Sequence, residues 1–217
     1  IVIPEVIAYK NIKNIEILII EWIDMQNFDQ KNLGKGLAEI HLNSTISNPK
    51  KFGYPVEGFI GTIDQKKGWE NNWTDCFLNL RIIPQLTIVK PNFLNKETIN
   101  EVIEKIKSEL QNHKAINTLV HGDLWSGNVG IEKSGKGVIF DPASWWADNE
   151  VDLAMTRLFG GFNKEFYEEY HKIMPLKEGF EKRIIIYNFY HILNHANMFG
   201  GSYFNQVKNY IKDILNF

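Results

Sequence analysis

Strand-like patterns occur in two separate places along these 217 residues, and helical patterns occupy most of the remainder. Two apolar, β-branched segments, Val2–Tyr9 and Glu16–Ile23, open the chain, and a shorter pair, Thr118–His121 and Gly137–Phe140, follows in the middle. A parallel α/β sheet needs strands and helices in regular alternation, which this order does not provide. The order therefore predicts an α+β fold with a mostly helical body.

The helical patterns are recognised by apolar residues that recur on one face. The clearest is Lys96–His113, in which Ile99, Val102 and Ile106 form part of one stripe opposite Lys and Glu residues. A further helix is predicted from near Asn71 to before Pro84, and Ser44–Asp64, rich in glycine and proline, is predicted to be a loop. The other predicted helices are Lys31–Asn43, Glu150–Leu158, Lys164–Lys172, Glu178–Phe199 and Phe204–Leu215.

The composition excludes several classes of protein and partner. The net charge is -2, and arginine supplies only three of the 24 basic residues, so no strong field or arginine-rich surface favours nucleic acid. No apolar run approaches the ~20 residues that cross a membrane, and no basic segment followed by an apolar one marks a secretory signal. The single cysteine, Cys76, indicates a reducing, cytoplasmic compartment, and we expect it to be a buried apolar residue.

The first two strands raise the question of what they pair with. Two strands alone do not form a stable sheet in water, and the following sequence offers them no obvious partner. We therefore expect that strands lie upstream of Ile1, and that the 217 residues alone associate through exposed strand edges.

The residues with the clearest chemical meaning follow the strand at Thr118–His121. Asp123 lies on the loop that leaves this strand, Asn128 follows five positions later, and Asp141 ends the next strand. In phosphoryl transfer one carboxylate accepts the proton of the attacking hydroxyl, while an amide oxygen and a second carboxylate hold Mg²⁺. Taken singly, each residue would be an ordinary turn or strand-end residue, and their order and spacing favour the catalytic interpretation. His121 is expected to orient this loop through hydrogen bonds.

Longer motifs around these residues make the chain similar to the fructosamine kinases, also called ketosamine-3-kinases. They are a branch of the protein-kinase-like fold near the aminoglycoside and choline kinases. The matching segments are LVHGDLWSGNV (Leu119–Val129), VIFDPA (Val138–Ala143), EVDLAMTRLFGGF (Glu150–Phe162), YHILNH (Tyr190–His195), GWENNW and RIIPQL within Gly68–Leu86, and LIIEWI (Leu18–Ile23).

The resemblance implies an aminoglycoside-phosphotransferase-like architecture in two parts. Residues 1–23 would be a remnant of the N-terminal sheet and the hinge, and residues 24–217 the helical C-terminal lobe with the catalytic and metal-binding loops. The implied activity is ATP-dependent phosphorylation of the sugar 3-hydroxyl of ketosamines, either small molecules or adducts on protein lysines, followed by decomposition that reverses glycation. The implied cofactors are ATP and Mg²⁺, and no nucleic acid or membrane is expected as a partner.

The resemblance also implies roles for single residues. Asp123 would be the catalytic base, and Asn128 and Asp141 would hold Mg²⁺. The backbone of Glu21, Trp22 and Ile23 would contact adenine. Asp152 would support the backbone of the catalytic loop, as a buried carboxylate rather than a solvated charge at a helix start.

Tryptophans and a histidine-rich helix segment are further candidates. Trp69 and Trp73 are equally compatible with stacking on a sugar ring and with core packing. His191, Asn194 and His195 lie one helical turn apart, and we expect a buried hydrogen-bonding cluster rather than direct substrate contact.

Departures from the family pattern leave alternatives open. The family's Gly-rich phosphate loop, its ATP-holding lysine and the paired glutamate have no counterpart in these residues, so we expect the 217 residues alone to be inactive. Trp145–Asp148 and Asn72 differ from the residues usual there, which affects substrate preference. The alternatives are a kinase of another small hydroxyl compound, such as an amino alcohol or aminoglycoside, and a non-catalytic scaffold.

Overall fold

The computed structural model describes residues 1–13, 15–26, 29–91 and 93–217. The strands are β1 (Val6–Ile12), β2 (Ile15–Ile20), β3 (Met25–Gln26), β4 (Phe52–Tyr54), β5 (Gly58–Ile60), β6 (Ile63–Gln65), β7 (Gly68–Glu70), β8 (Asn117–Val120), β9 (Val129–Glu132), β10 (Gly137–Ile139) and β11 (Trp145–Asp148). The helices are α1 (Lys31–Ser44), α2 (Trp73–Phe77), α3 (Ile83–Ile88), α4 (Lys96–Leu110), α5 (Glu150–Leu158), α6 (Lys164–Ile173), α7 (Phe180–Phe199) and α8 (Tyr203–Leu215). The predicted α+β fold with a mostly helical body is confirmed.

The helical body is organised around α7, which packs against both α5 and α8, while α1 packs against α6. Most of α7 is buried, including Phe189 and Ile192, whereas α4 fully buries only Val102, Ile106 and Leu110 of its predicted stripe. The difference follows from composition, because α7 has apolar residues all round and α4 has them on one face. Cys76 is buried in this core, as expected.

Two small sheets position the loop that carries Asp123. One is antiparallel, with the order β7-β4-β11-β8, and pairs Val120 with Trp145. The other has the order β10-β9-β3. Since β8 belongs to the first sheet and β9 to the second, the intervening loop is fixed at both ends.

Several predicted boundaries were wrong, and local geometry gives the reasons. The predicted loop Ser44–Asp64 contains β4 and β5, strands of three residues that are specified by their pairing partners rather than by a periodic pattern. The predicted helix does not end before Pro84. It passes through a π-helical turn at Leu78–Ile82 into α3, where the proline lies in the first turn and its missing N–H costs no hydrogen bond.

The opening hairpin differs from the prediction in its limits and exposes its apolar side chains. β1 begins at Val6 and β2 ends at Ile20, so residues 21–23 continue beyond the strand. β1 and β2 pair with each other, and Val2 forms a parallel bridge to Val138 of β10. The division of the chain at residue 23 stays a prediction. Within the described ranges, no helix is both long and apolar enough to cross a membrane.

Candidate active site

The loop after β8 is held from behind by a buried carboxylate. Asp152, on the first turn of α5, accepts the backbone N–H of His121 at 2.7 Å and that of Gly122 at 2.8 Å. Its Oδ2 also lies 3.1 Å from His41 Nε2. Both carboxylate oxygens are therefore used to hold the loop and α1 together.

The environment of Asp152 favours its charged form. Burial alone would raise the pKa of Asp152, but the hydrogen bond from His41 and the Gly122 N–H lower it below its usual value. His41 in turn contacts the hydroxyl of Tyr170 at 2.7 Å, and Asn149 donates to the same hydroxyl. Sequence reasoning missed His41, Tyr170 and Asn149, which come from three distant segments.

His121 fixes the conformation of the loop as a neutral imidazole. Its Nε2 donates to the carbonyl oxygen of Phe140 at 2.9 Å, and its Nδ1 accepts the backbone N–H of Asp123 at 3.3 Å. Because Nδ1 is an acceptor, the ring carries its proton on Nε2. Burial is the main cause that lowers the pKa of His121, which keeps this tautomer uncharged.

The structure brings Asp123, Asn128 and Asp141 together. Asn128 Nδ2 lies 2.9 Å from the carbonyl oxygen and 3.2 Å from Oδ2 of Asp123, and 3.4 Å from the carbonyl oxygen of Asp141. Since all of these partners are acceptors, the amide orientation is fixed, and Oδ1 of Asn128 points to the opposite side. The three residues line one cavity.

The Asp123 carboxyl group has a pKa suited to proton transfer. Burial and, to a smaller extent, the negative charge of Asp141 raise its pKa to about 6, and the Asn128 hydrogen bond opposes both effects. A carboxylate with a pKa in this range is ionised at neutral pH and still able to hold a proton, as a general base requires.

Gly122 and Asp141, which lie at the centre of the site, have positive φ angles. Gly122 has φ +84°, and a Cβ there would overlap the carbonyl oxygen of Ala143. Asp141 has φ +56°, which is uncommon for a residue with a side chain. The backbone N–H of Ala143 donates to the carbonyl oxygen of His121 at 2.9 Å, so the two loops are joined directly. This joint explains why a glycine follows His121.

The cavity has a volume of about 570 Å³ and combines aromatic and polar walls. Its lining residues are Ile60, Gly61, Asp123, Trp125, Ser126, Asn128, Asp141, Met155, Phe159, His191, Asn194, His195, Met198, Phe199 and Tyr203. Sequence reasoning gave little weight to Trp125 and missed Phe159, Phe199 and Tyr203, because segments far apart in the chain supply them.

The segment at His191 lies in the wall of this cavity. Asn194 Oδ1 accepts Gln85 Nε2 at 3.2 Å, and His195 Nδ1 lies 2.8 Å from the carbonyl oxygen of His191. In the described part of the chain, neither ring nitrogen of His191 has a hydrogen-bond partner. Burial lowers the pKa of His191 to about 3, so the ring is neutral and presents one donor and one acceptor. The expected hydrogen-bonding cluster therefore includes Asn194 and His195 but leaves the His191 ring available to a ligand.

The two candidate tryptophans lie elsewhere. Trp73 is buried, stacks on Trp145 and donates to the Tyr187 hydroxyl at 2.9 Å. Trp69 is 37% exposed on β7 and does not line the cavity that contains Asp123. The core-packing interpretation fits the position of Trp73, and a substrate contact by Trp69 stays a prediction.

Glu21, Trp22 and Ile23 line a separate surface cavity of about 360 Å³ beside the β9–β10 turn. The Glu21 N–H donates to the carbonyl oxygen of Glu5, whereas Trp22 and Ile23 make no backbone hydrogen bond to other described residues. Trp22 is 88% exposed. This segment therefore offers backbone donors and acceptors to a ligand.

Asn128 and Asp141 have the donor chemistry for Mg²⁺. The free amide oxygen of Asn128 and the exposed Asp141 carboxylate are hard oxygen ligands in the same cavity. A second cluster, formed by His113, Asp148 and Glu150, is occupied by protein partners. Asp148 Oδ2 is bonded by His113 and Tyr187, and Arg183 binds both oxygens of Glu150. The second cluster is therefore an internal ion-pair network.

Comparisons with known proteins cover the whole chain. The fructosamine kinase family model matches residues 1–217. A Vibrio parahaemolyticus relative named "probable ketoamine kinase" is 38% identical in an alignment of 219 positions that covers 99% of this chain and 75% of the relative. The mouse ketosamine-3-kinase is 31% identical over 91% of this chain and 72% of its own length.

Solved structures give the same picture of the fold. A crystal structure assigned to fructosamine-3-kinase from Haemophilus somnus has a TM-score of 0.87 and 28% identity, over 98% of this chain and 73% of that one. Choline kinase LicA from Streptococcus pneumoniae has a TM-score of 0.60 at 15% identity, over 92% and 70% of the two chains. The predicted protein-kinase-like fold is thereby confirmed. The match along the full chain, together with this fold, shows that the chain belongs to the fructosamine kinase family.

Proposed function

We propose that this protein uses ATP to phosphorylate the sugar 3-hydroxyl of ketosamines, including fructosamine and ribulosamine adducts of amines or protein lysines. The observation that carries the proposal is the position of Asp123, whose pKa is about 6, in one cavity with Asn128 and Asp141. The family and the names of its relatives support the class of acceptor.

The chemical step assigns one task to Asp123. The 3-hydroxyl oxygen attacks the γ-phosphorus of ATP, the bond to the ADP oxygen breaks, and the hydroxyl proton passes to the Asp123 carboxylate. Little covalent chemistry is left to the protein, so positioning supplies most of the rate. Asn128 Nδ2 donates to the Asp123 carboxylate and the Asp123 backbone N–H donates to His121 Nδ1, and these two bonds hold the side chain and backbone of Asp123 for this transfer.

Asn128 Oδ1 and the Asp141 carboxylate would hold Mg²⁺ on the nucleotide phosphates. When bound, the ion neutralises negative charge on the phosphate oxygens. The positive φ of Asp141 sets the direction in which its carboxylate leaves the loop. The backbone of Glu21, Trp22 and Ile23 would hold the adenine ring, using the groups that no other described residue binds.

The acceptor would lie between the aromatic and polar walls of the cavity. Sugar rings pack well on indole and phenyl faces, which Trp125 and Phe159 supply. The neutral His191 ring supplies a donor and an acceptor for hydroxyl groups of the sugar. The phosphorylated adduct would then decompose and release the amine, which reverses glycation.

A panel of acceptors tests the proposal on the protein expressed from its natural gene. Fructose and ribulose adducts of lysine, choline and an aminoglycoside are each incubated with ATP and Mg²⁺, and ³¹P and ¹³C NMR locate the phosphate. We expect transfer to carbon 3 of the ketosamines. Transfer to choline or the aminoglycoside alone would replace this function by the alternative kinase, and nucleotide binding without transfer to any acceptor would indicate a scaffold.

A further inference from the structure

Arg81 is a buried guanidinium that the proposed reaction does not use. It lies on the π-helical turn between α2 and α3 and is 1% exposed. Its guanidinium carbon lies 3.9 Å from the centroid of the Trp145 ring. Nη1 donates to the carbonyl oxygens of Lys66 and Leu80 at 3.1 and 2.8 Å. The stacking on Trp145 and the two hydrogen bonds from Nη1 therefore fix the plane of the Arg81 guanidinium.

The other edge of the Arg81 guanidinium has no acceptor. Neither Nε nor Nη2 has a hydrogen-bond partner in the described part of the chain, and no described carboxylate lies within ion-pair distance. Burial lowers the pKa of Arg81, which shows that the environment disfavours its charge. Buried charges and N–H groups without partners cost free energy. The Nε and Nη2 groups form the fork that binds both oxygens of a carboxylate.

A cavity of about 350 Å³ lies beside this arginine. Its lining residues are Tyr54, Val56, Gly58, Phe59, Gln65, Lys66, Arg81, Pro142, Ala143 and Ser144. Lys66 adds a second cation, which has no ion-pair partner among the described residues. No acidic side chain lines this cavity in the described ranges, so its charge is positive.

The cavity is next to the candidate active site. Pro142 directly follows Asp141, and the β5–β6 hairpin contributes Ile60 to the catalytic cavity and Phe59 to this one. Tyr190 is within electrostatic reach of both sites. Its pKa is raised to about 12, mainly by burial, and of the two sites the Arg81 charge lowers this pKa while the Asp123 charge raises it.

We propose that this cavity is a carboxylate subsite, in which Nε and Nη2 of Arg81 bind the carboxylate of the amino-acid part of a ketosamine and Lys66 adds a second positive charge. The identity of the acceptor rests on the proposed function. A planar fork matches two coplanar carboxylate oxygens, and the position beside Asp141 suits the end of an acceptor whose sugar lies at Asp123. Free phosphate is the other anion that such a fork could bind.

NMR of the arginine side chains tests the subsite without any turnover. The chain has only three arginines, so ¹⁵N labelling gives three Nε–H signals. The variants Arg157→Lys and Arg183→Lys each remove one signal, and the signal that remains in both variants belongs to Arg81. We expect acetate and fructosyl-glycine to shift the Arg81 signal, and fructosyl-glycinamide to leave it unchanged. An Arg81 signal that responds to none of these, as when a buried water holds the edge, would overturn the subsite. A response to inorganic phosphate at lower concentration than to acetate would also overturn the carboxylate assignment.

Kinetics with the same two acceptors measures what the subsite contributes. A hydrogen-bonded charge pair should raise kcat/KM for fructosyl-glycine about 10-fold over its amide, mainly through KM. Lys66→Gln should reduce that ratio, whereas Lys67→Gln, whose exposed ammonium pairs with Glu57, should not. Arg81→Lys should abolish the preference if circular dichroism shows a folded chain. Equal kcat/KM values in the wild type would overturn the subsite, whereas failure to phosphorylate either acceptor would count against the proposed function alone.

Discussion

The Asp123 carboxyl group, the base of the proposed reaction, should also affect the stability of the fold. Its pKa is about 6 in the folded chain against 3.8 for an ordinary aspartate, so the folded state binds the proton more tightly. This difference in proton binding contributes free energy of folding that is fully present below pH 4 and is lost as the pH rises through 6. Asp123→Asn should therefore be more stable than the wild type at pH 8, by about 1 kcal/mol because the carboxyl group is only partly buried.

Urea unfolding at pH 8 and pH 4.5 measures this difference. The gain should be smaller at pH 4.5, where the wild-type carboxyl group is largely protonated in the folded state. Asp213→Asn, at an exposed position of α8, is the control and should change neither value. A stability gain that does not depend on pH would contradict the pKa assigned to Asp123.

The hydrogen-bonded contact between the two loops leaves no room for a side chain at Gly122. A Cβ at this position would overlap the carbonyl oxygen of Ala143, and φ is +84°. Gly122→Ala should destabilise the fold by about 2 kcal/mol or more and lower kcat. Gly201→Ala is a matched control, because φ is also positive there and nothing lies within 4 Å of the added Cβ. It should cost about 1 kcal/mol or less and leave kcat unchanged. Equal losses of stability in the two variants would show that the positive φ alone, and not the overlap with Ala143, accounts for the glycine at position 122.

At the scale of elements, the β1–β2 hairpin exposes apolar residues on both faces. Ile7 is 67% exposed and Leu18 is 60% exposed, and all of β2 is exposed. The 217-residue chain should therefore self-associate, as measured by sedimentation velocity over a range of concentrations. The double variant Ile7→Lys and Leu18→Lys should shift it towards monomer. A wild-type chain that stays monomeric at every concentration would contradict this role of the hairpin.

Helices could be predicted better than short strands, and the reason is physical. A helix such as α4 carries its own periodic stripe, which can be read from its sequence alone. β4 and β11 have three and four residues, and their extended conformation depends on partners that lie far away in the chain. The continuation through Pro84 depended on a π-helical turn, for which the sequence carries no regular signal.

At the scale of the molecule, the sequence predicted the centre of the site better than its walls. Asp123, Asn128 and Asp141 lie within nineteen residues, and two short strands bring them together. The walls come from β5, the loop after β8 and helices α5, α7 and α8, so their assembly depends on the whole fold. Arg81 was part of a motif match, but only its buried, unpaired edge pointed to a separate subsite.

The distribution of metal ligands predicts that Mg²⁺ binding depends on nucleotide. In the proposed site, Asn128 and Asp141 would be the two protein ligands among the described residues, and Mg²⁺ otherwise uses water and phosphate oxygens. Isothermal titration calorimetry should detect no tight Mg²⁺ binding without nucleotide, and binding should appear when ATP is present. Asp141→Asn should weaken this coupled binding about 10-fold or more. Tight binding without nucleotide, lost in Asp123→Asn and kept in Asp141→Asn, would reverse the roles of the two carboxylates.

In the proposed reaction Asp123 accepts the proton of a ketosamine hydroxyl, and the turnover number of Asp123→Asn measures this role. The variant keeps the size of the side chain and an oxygen that accepts the Asn128 hydrogen bond, but it has no base. With fructosyl-lysine and saturating ATP and Mg²⁺, kcat should fall about 10²- to 10⁴-fold, while the Kd for ATP stays within a few-fold of the wild type. A kcat close to that of the wild type would contradict the account.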